Sequence, residues 1–174
     1  MRPVKELPEQ SGIVRPLLPR SDPRDDFVYC DYFTYNGAEH HPGLMTKAEQ
    51  RYTYDLCQRY SLDYYIVLGL IGVESGWDIH IRVCNGHAGA GMVSVRYNYE
   101  RMLEMGLDLY NPLDAIECMC IVLAEKLNKY GSYEKALMAY NKGDSGAQRY
   151  FNKGIYESSY SRRVLGFAKS MKGT

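Results

Sequence analysis

The stretch Tyr64–Trp77, YYIVLGLIGVESGW, limits what this chain can fold into more than any other. No residue from Tyr64 to Val73 carries a charge, so a helix made from it is apolar around its whole circumference. A surface helix needs only an apolar stripe, whereas this one has to be enclosed by other elements. It also falls well short of the ~20 apolar residues of a membrane span. A helical domain with this segment near its centre is expected. Burying the run carries Glu74 to the rim of the core, where loss of water disfavours the ionised carboxyl and raises its pKa. Two readings follow. Glu74 is either a partly buried structural carboxylate, paired with a cation or a backbone amide, or an acid that keeps its proton near neutral pH. The second is what cleaving a sugar–sugar bond requires, because the departing alkoxide must be protonated. The segment alone leaves both open.

The rest of the chain has helical grammar from Thr46 onward. Thr46-Lys47-Ala48-Glu49 is a capping-box pattern opening a helix to about Ser61. Gly76–Val95 is glycine-rich with little periodicity and reads as loop. Tyr97–Glu104 reads as a short helix. Asn111-Pro112 supplies an N-cap and a first-turn proline for a helix over 112–130. Its apolar positions Ile116, Met119, Cys120, Leu123, Leu127 and Tyr130 recur at three- and four-residue spacing, and Gly131 ends it. A helix from Ser132 through Asn141 is expected to break at Gly143-Asp144 and Ser145-Gly146, with further helices over about 145–153 and 157–171. No strand alternation is visible after residue 45, so the fold class is all-α or nearly so. Six of the seven prolines precede Gly43. Residues 1–25 read as an extended arm and Phe27–Leu44 as a tyrosine-rich transition. The division expected is a proline-rich arm or linker over 1–44 and a helical domain over 45–174.

Lys and Arg total 21 and Asp and Glu total 21, a balance that suggests neither nucleic-acid binding nor membrane adsorption. The charge is uneven, however: from Lys142 onward Lys142, Arg149, Lys153, Arg162, Arg163, Lys169 and Lys172 face only Asp144 and Glu157. This is either a solvated helix face or a surface turned toward an anionic polymer. The five cysteines lack paired spacing, and no disulfide framework is expected. Cys84-Asn85-Gly86-His87 and His40-His41 have no second half at finger-like spacing, so neither a metal nor a cofactor is expected. The start, MRPVKELPEQ, has no apolar signal-peptide core, and no export route is visible.

Glu74-Ser75-Gly76-Trp77 followed by a glycine-rich loop, then Ala139-Tyr140-Asn141-Lys142-Gly143, then Tyr160-Ser161-Arg162-Arg163-Val164, resembles the soluble-type lytic transglycosylase domain of the goose-type-lysozyme-like superfamily. The resemblance covers about residues 46–170. It implies a lysozyme-like fold acting on the glycan strands of bacterial peptidoglycan at the cell wall, with Glu74 as the sole catalytic acid. By the same resemblance, Ser75 orients the carboxyl or substrate, Tyr140 lies near the acid, Asn141 lines the groove and Tyr160 faces the site. The residues also admit plainer roles: a core aromatic for Tyr140, a helix C-cap for Asn141, helix packing for Tyr160. Trp77 is open between core anchor and sugar platform. One motif departs from the pattern. Where the family has Gly-Leu-Met-Gln, one register gives Gly89-Ala90-Gly91-Met92 and puts Met92 at the glutamine position; a two-residue slip puts Ser94 there. Neither supplies the amide, and methionine is only a weak acceptor.

The reaction that the resemblance implies cleaves the bond between N-acetylmuramic acid and N-acetylglucosamine and closes a 1,6-anhydro ring on the muramyl unit. Two alternatives stand beside it: a hydrolytic muramidase, and a weakly active wall-binding module of a phage, conjugation or secretion assembly. Hydrolysis would call for a second carboxylate, for which Asp78 is nearest in sequence and reads as a turn residue.

Overall fold

The computed structural model describes residues 26–81 and 83–173, and the arm expected over 1–25 lies outside them. In chain order the elements are β1 (Phe33–Tyr35), β2 (Ala38–His40), a single 3-10 turn (Pro42–Leu44), α1 (Lys47–Tyr60), α2 (Tyr64–Ser75), β3 (His87–Ala88), β4 (Val93–Ser94), α3 (Val95–Glu104), α4 (Pro112–Tyr130), α5 (Tyr133–Phe151) and α6 (Ser159–Lys172). The fold is mostly helical, as expected. Among the described residues no helix is long and apolar enough to cross a membrane.

The helix starts follow from local chemistry. The Thr46 hydroxyl accepts from Glu49 N and the Glu49 carboxylate from Thr46 N, completing the capping box of α1. Asn111 Oδ1 accepts from Leu113 N and Asp114 N at the head of α4. α2 begins at Tyr64 because Asp63 caps it, accepting from Tyr65 N and Ile66 N. In α2, Tyr64 and every residue from Ile66 through Gly72 are buried. Ile66, Val67, Leu68, Leu70 and Ile71 contribute about 1.5–3 kcal/mol each on burial. That outweighs a raised carboxyl pKa at the helix end, which costs about 1.4 kcal/mol per unit.

α2 packs along α6, and α4 along α5. The α2–α6 approach is close: a Cβ at Gly69 would lie 2.9 Å from the Val164 carbonyl oxygen. Residues 26–44 join this core. Phe33 is fully buried and meets Trp77 and Phe167 edge-on. Gln50, buried on α1, ties the segment down. Its Oε1 accepts from Cys30 N and the Tyr64 hydroxyl, and its Nε2 donates to the carbonyls of Cys30, Pro42 and Met45.

One feature differs from the sequence reading. The stretch expected to be loop over 76–95 contains an antiparallel hairpin, with His87 opposite Ser94 and Ala88 opposite Val93. Strands of two residues are too short to show alternation, so nothing periodic marked them. The helix from Ser132 breaks where expected, at Gly143, whose φ of 69° and ψ of 164° lie in a region essentially restricted to glycine, and a second segment of α5 continues to Phe151.

Candidate active site

Glu74 sits in the last turn of α2, which closes on Gly76 in the left-handed conformation. Trp77 follows with φ of 65°, an uncommon conformation for a residue with a side chain, and folds back over the helix. Its indole donates to Leu68 O at 2.9 Å, and its ring stacks on Phe167 at 5.8 Å. Gly72 makes room, since a Cβ there would sit 2.2 Å from the indole. Trp77 is therefore a core anchor and no sugar platform. It pins the helix end that presents Glu74.

Glu74 opens onto a cleft of about 920 Å³ between the β3–β4 hairpin, α3, α4 and the middle of α5. Burial pushes its carboxyl above the ordinary value. The Tyr160 hydroxyl, which donates to Glu74 Oε1, and the nearby His87 pull the other way without cancelling it. Burial and the Glu74 charge hold the Tyr160 and Tyr140 hydroxyls protonated well above the phenol range.

Of the site residues expected from the sequence, Met92, Tyr140 and Asn141 line the cleft with Glu74, and Tyr160 reaches the carboxyl from α6. The Tyr140 hydroxyl donates to Gly91 O at 2.6 Å, tying α5 to the hairpin. Asn141 lies two residues before the break in α5 at Gly143 and is exposed to the cleft. The Ser75 hydroxyl donates to Ile71 O at 3.0 Å within its own helix, and Ser75 is not part of the cleft wall. Asp78 accepts from His80 N, a local turn, and is likewise absent from the wall.

Packing requires glycine at the start of either register. A Cβ at Gly89, whose φ is 70°, would lie 2.3 Å from the Ala115 Cβ, and one at Gly91 2.4 Å from the Met119 side chain. The amide position falls on Met92 in the first register and on Ser94 in the second, and both residues line the cleft.

Sequence reading did not single out His87 or the wall formed by Asn98, Arg101 and Glu125. His87 lies across the hairpin from Ser94 and lines the cleft. Its Nδ1 is 3.0 Å from Asn85 O. A carbonyl oxygen only accepts, so Nδ1 carries a hydrogen. Asn85-Gly86 forms the turn, with φ of 50° and 77°, and Cys84 and His87 exchange backbone hydrogen bonds across it. The Asn-Gly pair was the available signal for that turn. The wall is a relay. Asn98 donates to Ser94 O at 2.9 Å, Arg101 donates to Asn98 Oδ1, and Arg101 holds Glu125 through two bonds of 2.7 and 3.0 Å. Asp144, also in the wall, is held by Lys126 and Lys129 at 2.7 and 2.8 Å. Of the three carboxylates lining the cleft, Glu125 and Asp144 are ion-paired, whereas Glu74 is hydrogen-bonded by a neutral tyrosine.

No curated protein matches the chain. The family model for the transglycosylase SLT domain matches residues 52–155, more than half of the sequence. The matched range includes Glu74, Met92, Tyr140 and Asn141, while Tyr160 lies just beyond it and joins the site through its bond to Glu74. The chain belongs to the transglycosylase SLT domain family, a lysozyme-like domain of peptidoglycan-degrading proteins.

Proposed function

We propose that this protein is a peptidoglycan lytic transglycosylase in which Glu74 alone serves as acid and then base. The observation that carries the reading is a half-buried carboxyl, raised above its ordinary pKa, at the rim of a cleft whose other carboxylates are already paired. Protonated Glu74 gives its proton to the glycosidic oxygen between N-acetylmuramic acid and N-acetylglucosamine, and the bond from the muramyl anomeric carbon to that oxygen breaks. The muramyl N-acetyl oxygen stabilises the positive charge on the anomeric carbon. The Glu74 carboxylate then takes the proton of the muramyl 6-hydroxyl, and that oxygen closes the 1,6-anhydro ring. The proton given is recovered, so the cycle balances without water. Tyr160 holds the carboxyl in place through both steps, and Tyr140 fixes the hairpin against α5. Met92, Ser94, Asn141 and His87 line the groove beside the acid.

A hydrolase would need a second carboxylate free to activate water. The pairing of Glu125 with Arg101 and of Asp144 with Lys126 and Lys129 favours the lyase. The test is digestion of purified peptidoglycan by the protein and by Glu74→Gln, with mass analysis of the products. Anhydro products lighter by one water than hydrolysed ones, and lost in the variant, are expected. Hydrated products would assign a muramidase, and no products from folded wild-type protein would assign a wall-binding module.

A further inference from the structure

We propose that a hollow on the second half of α5 is a subsite for the carboxylates of the peptide that peptidoglycan carries on its muramyl units; this rests on the glycan-cleaving reading above. The hollow, about 460 Å³, is lined by Lys142, Gly146, Arg149, Tyr150 and Lys153. Gly146, Arg149 and Tyr150 share one face of the segment after Gly143, while Lys142 joins them from before the break and Lys153 from just past the helix end. Gly146 stands in the middle of that face and has no side chain to fill it.

The charge is local and unspent. Glu125 and Asp144 in the neighbouring cleft wall are engaged by Arg101, Lys126 and Lys129. Among the described residues, Lys142, Arg149 and Lys153 make no salt bridge. The Lys142 ammonium lies over the Tyr150 ring, 5.0 Å from its centroid, which steadies a cation while leaving its donors available. Arg149 presents a planar fork suited to carboxylate. Cations close to a helix C-terminus also complement the helix dipole, which accounts for Arg149 and Lys153. Lys142, the last residue before the break at Gly143, ends the first segment of α5 in the same way.

The position of the hollow selects its ligand. Lys142, Gly146 and Arg149 line both the hollow and the cleft, so the two spaces are continuous. An oxyanion tethered to a glycan bound in the cleft meets the three cations at high effective concentration. The muramyl lactyl ether carries such a tether, a peptide bearing side-chain and terminal carboxylates. A phosphate polymer would call for an extended basic stripe, whereas this patch is one hollow in a chain of zero net charge.

The test uses Glu74→Gln protein, which binds without turnover, and titration calorimetry at low and high salt. The probes are a short glycan strand with peptide stems, the same strand with stem carboxylates amidated, and the strand stripped of peptide. The strand with free carboxylates is expected to bind more tightly than the amidated one. That advantage should shrink with salt and fall about fivefold when Arg149→Gln and Lys153→Gln are combined, the size expected for two exposed ion pairs. Equal affinity for free and amidated stems overturns the proposal, as does an advantage that survives the double substitution. Competition by inorganic phosphate together with indifference to amidation also overturns it. If the stripped strand is bound but stem charge is immaterial, only the subsite falls. If no strand is bound, the glycan reading falls and takes the subsite with it.

Discussion

A carboxyl that has given up much of its water is sensitive to each neighbour that remains. Glu74 is raised by burial, so the folded chain holds this proton more tightly than the unfolded chain does. Its contribution to folding is complete below the ordinary carboxylate range and is lost as pH rises through the raised folded value. Glu74→Gln removes that titration. Denaturant melts of the variant should show a flatter dependence on pH, and at neutral pH and above the variant should be the more stable protein. Tyr160→Phe deletes the donor that pulls the Glu74 pKa down. The alkaline limb of the pH–rate profile should then move to higher pH while the maximal rate falls; a move to lower pH would assign the tyrosine another role. The missing amide offers a third check. With the pattern starting at Gly91 the glutamine position falls on Ser94, and Ser94→Gln should raise turnover of peptidoglycan; with the pattern starting at Gly89 it falls on Met92, and Met92→Gln should do so instead. The gain should be about tenfold if one hydrogen bond to substrate is restored.

The helices themselves hold few surprises, because their ends are written in nearest-neighbour chemistry. Thr46 with Glu49, Asn111 with Pro112 and the glycine at 131 act within a few residues, and each could be placed without a fold. The apolar run of α2 announced both its burial and the unusual position of Glu74. What stayed hidden depends on distant partners. Phe33 enters the core because Trp77 and Phe167 are there to meet it, and nothing in its tyrosine-rich surroundings says so. His87 lines the cleft only because the Asn-Gly turn reverses the chain into β3 and residues 89–92 fold it back as β4. The Asn98–Arg101–Glu125 relay joins two helices whose relative placement no spacing encodes. The α2–α6 contact is of this kind too, and it makes a sharp prediction. Gly69→Ala puts a Cβ against the Val164 carbonyl, a backbone atom that cannot swing aside. Thermal unfolding should report a loss of about 1–3 kcal/mol, as for other overpacked contacts.

At the scale of the whole molecule, two positions join parts that would otherwise be separate. Gln50 binds residues 30–45 to α1 through four hydrogen bonds and accepts a fifth from Tyr64 of α2. Gln50→Leu strands their partners away from water, and urea titration should show a loss of about 3 kcal/mol or more. Gly143 is the other joint. Any side chain there has to adopt a conformation costing about 1–3 kcal/mol, or else straighten α5. The stretch of α5 before this joint is bolted into the interior by Ala136, Leu137, Met138 and Ala139, and it carries Tyr140. The stretch after it turns its cations outward. On the two proposals above, chemistry and taste sit on either side of one joint: rewriting the outer side should retarget binding to differently decorated walls while the proton-handling machinery is left undisturbed.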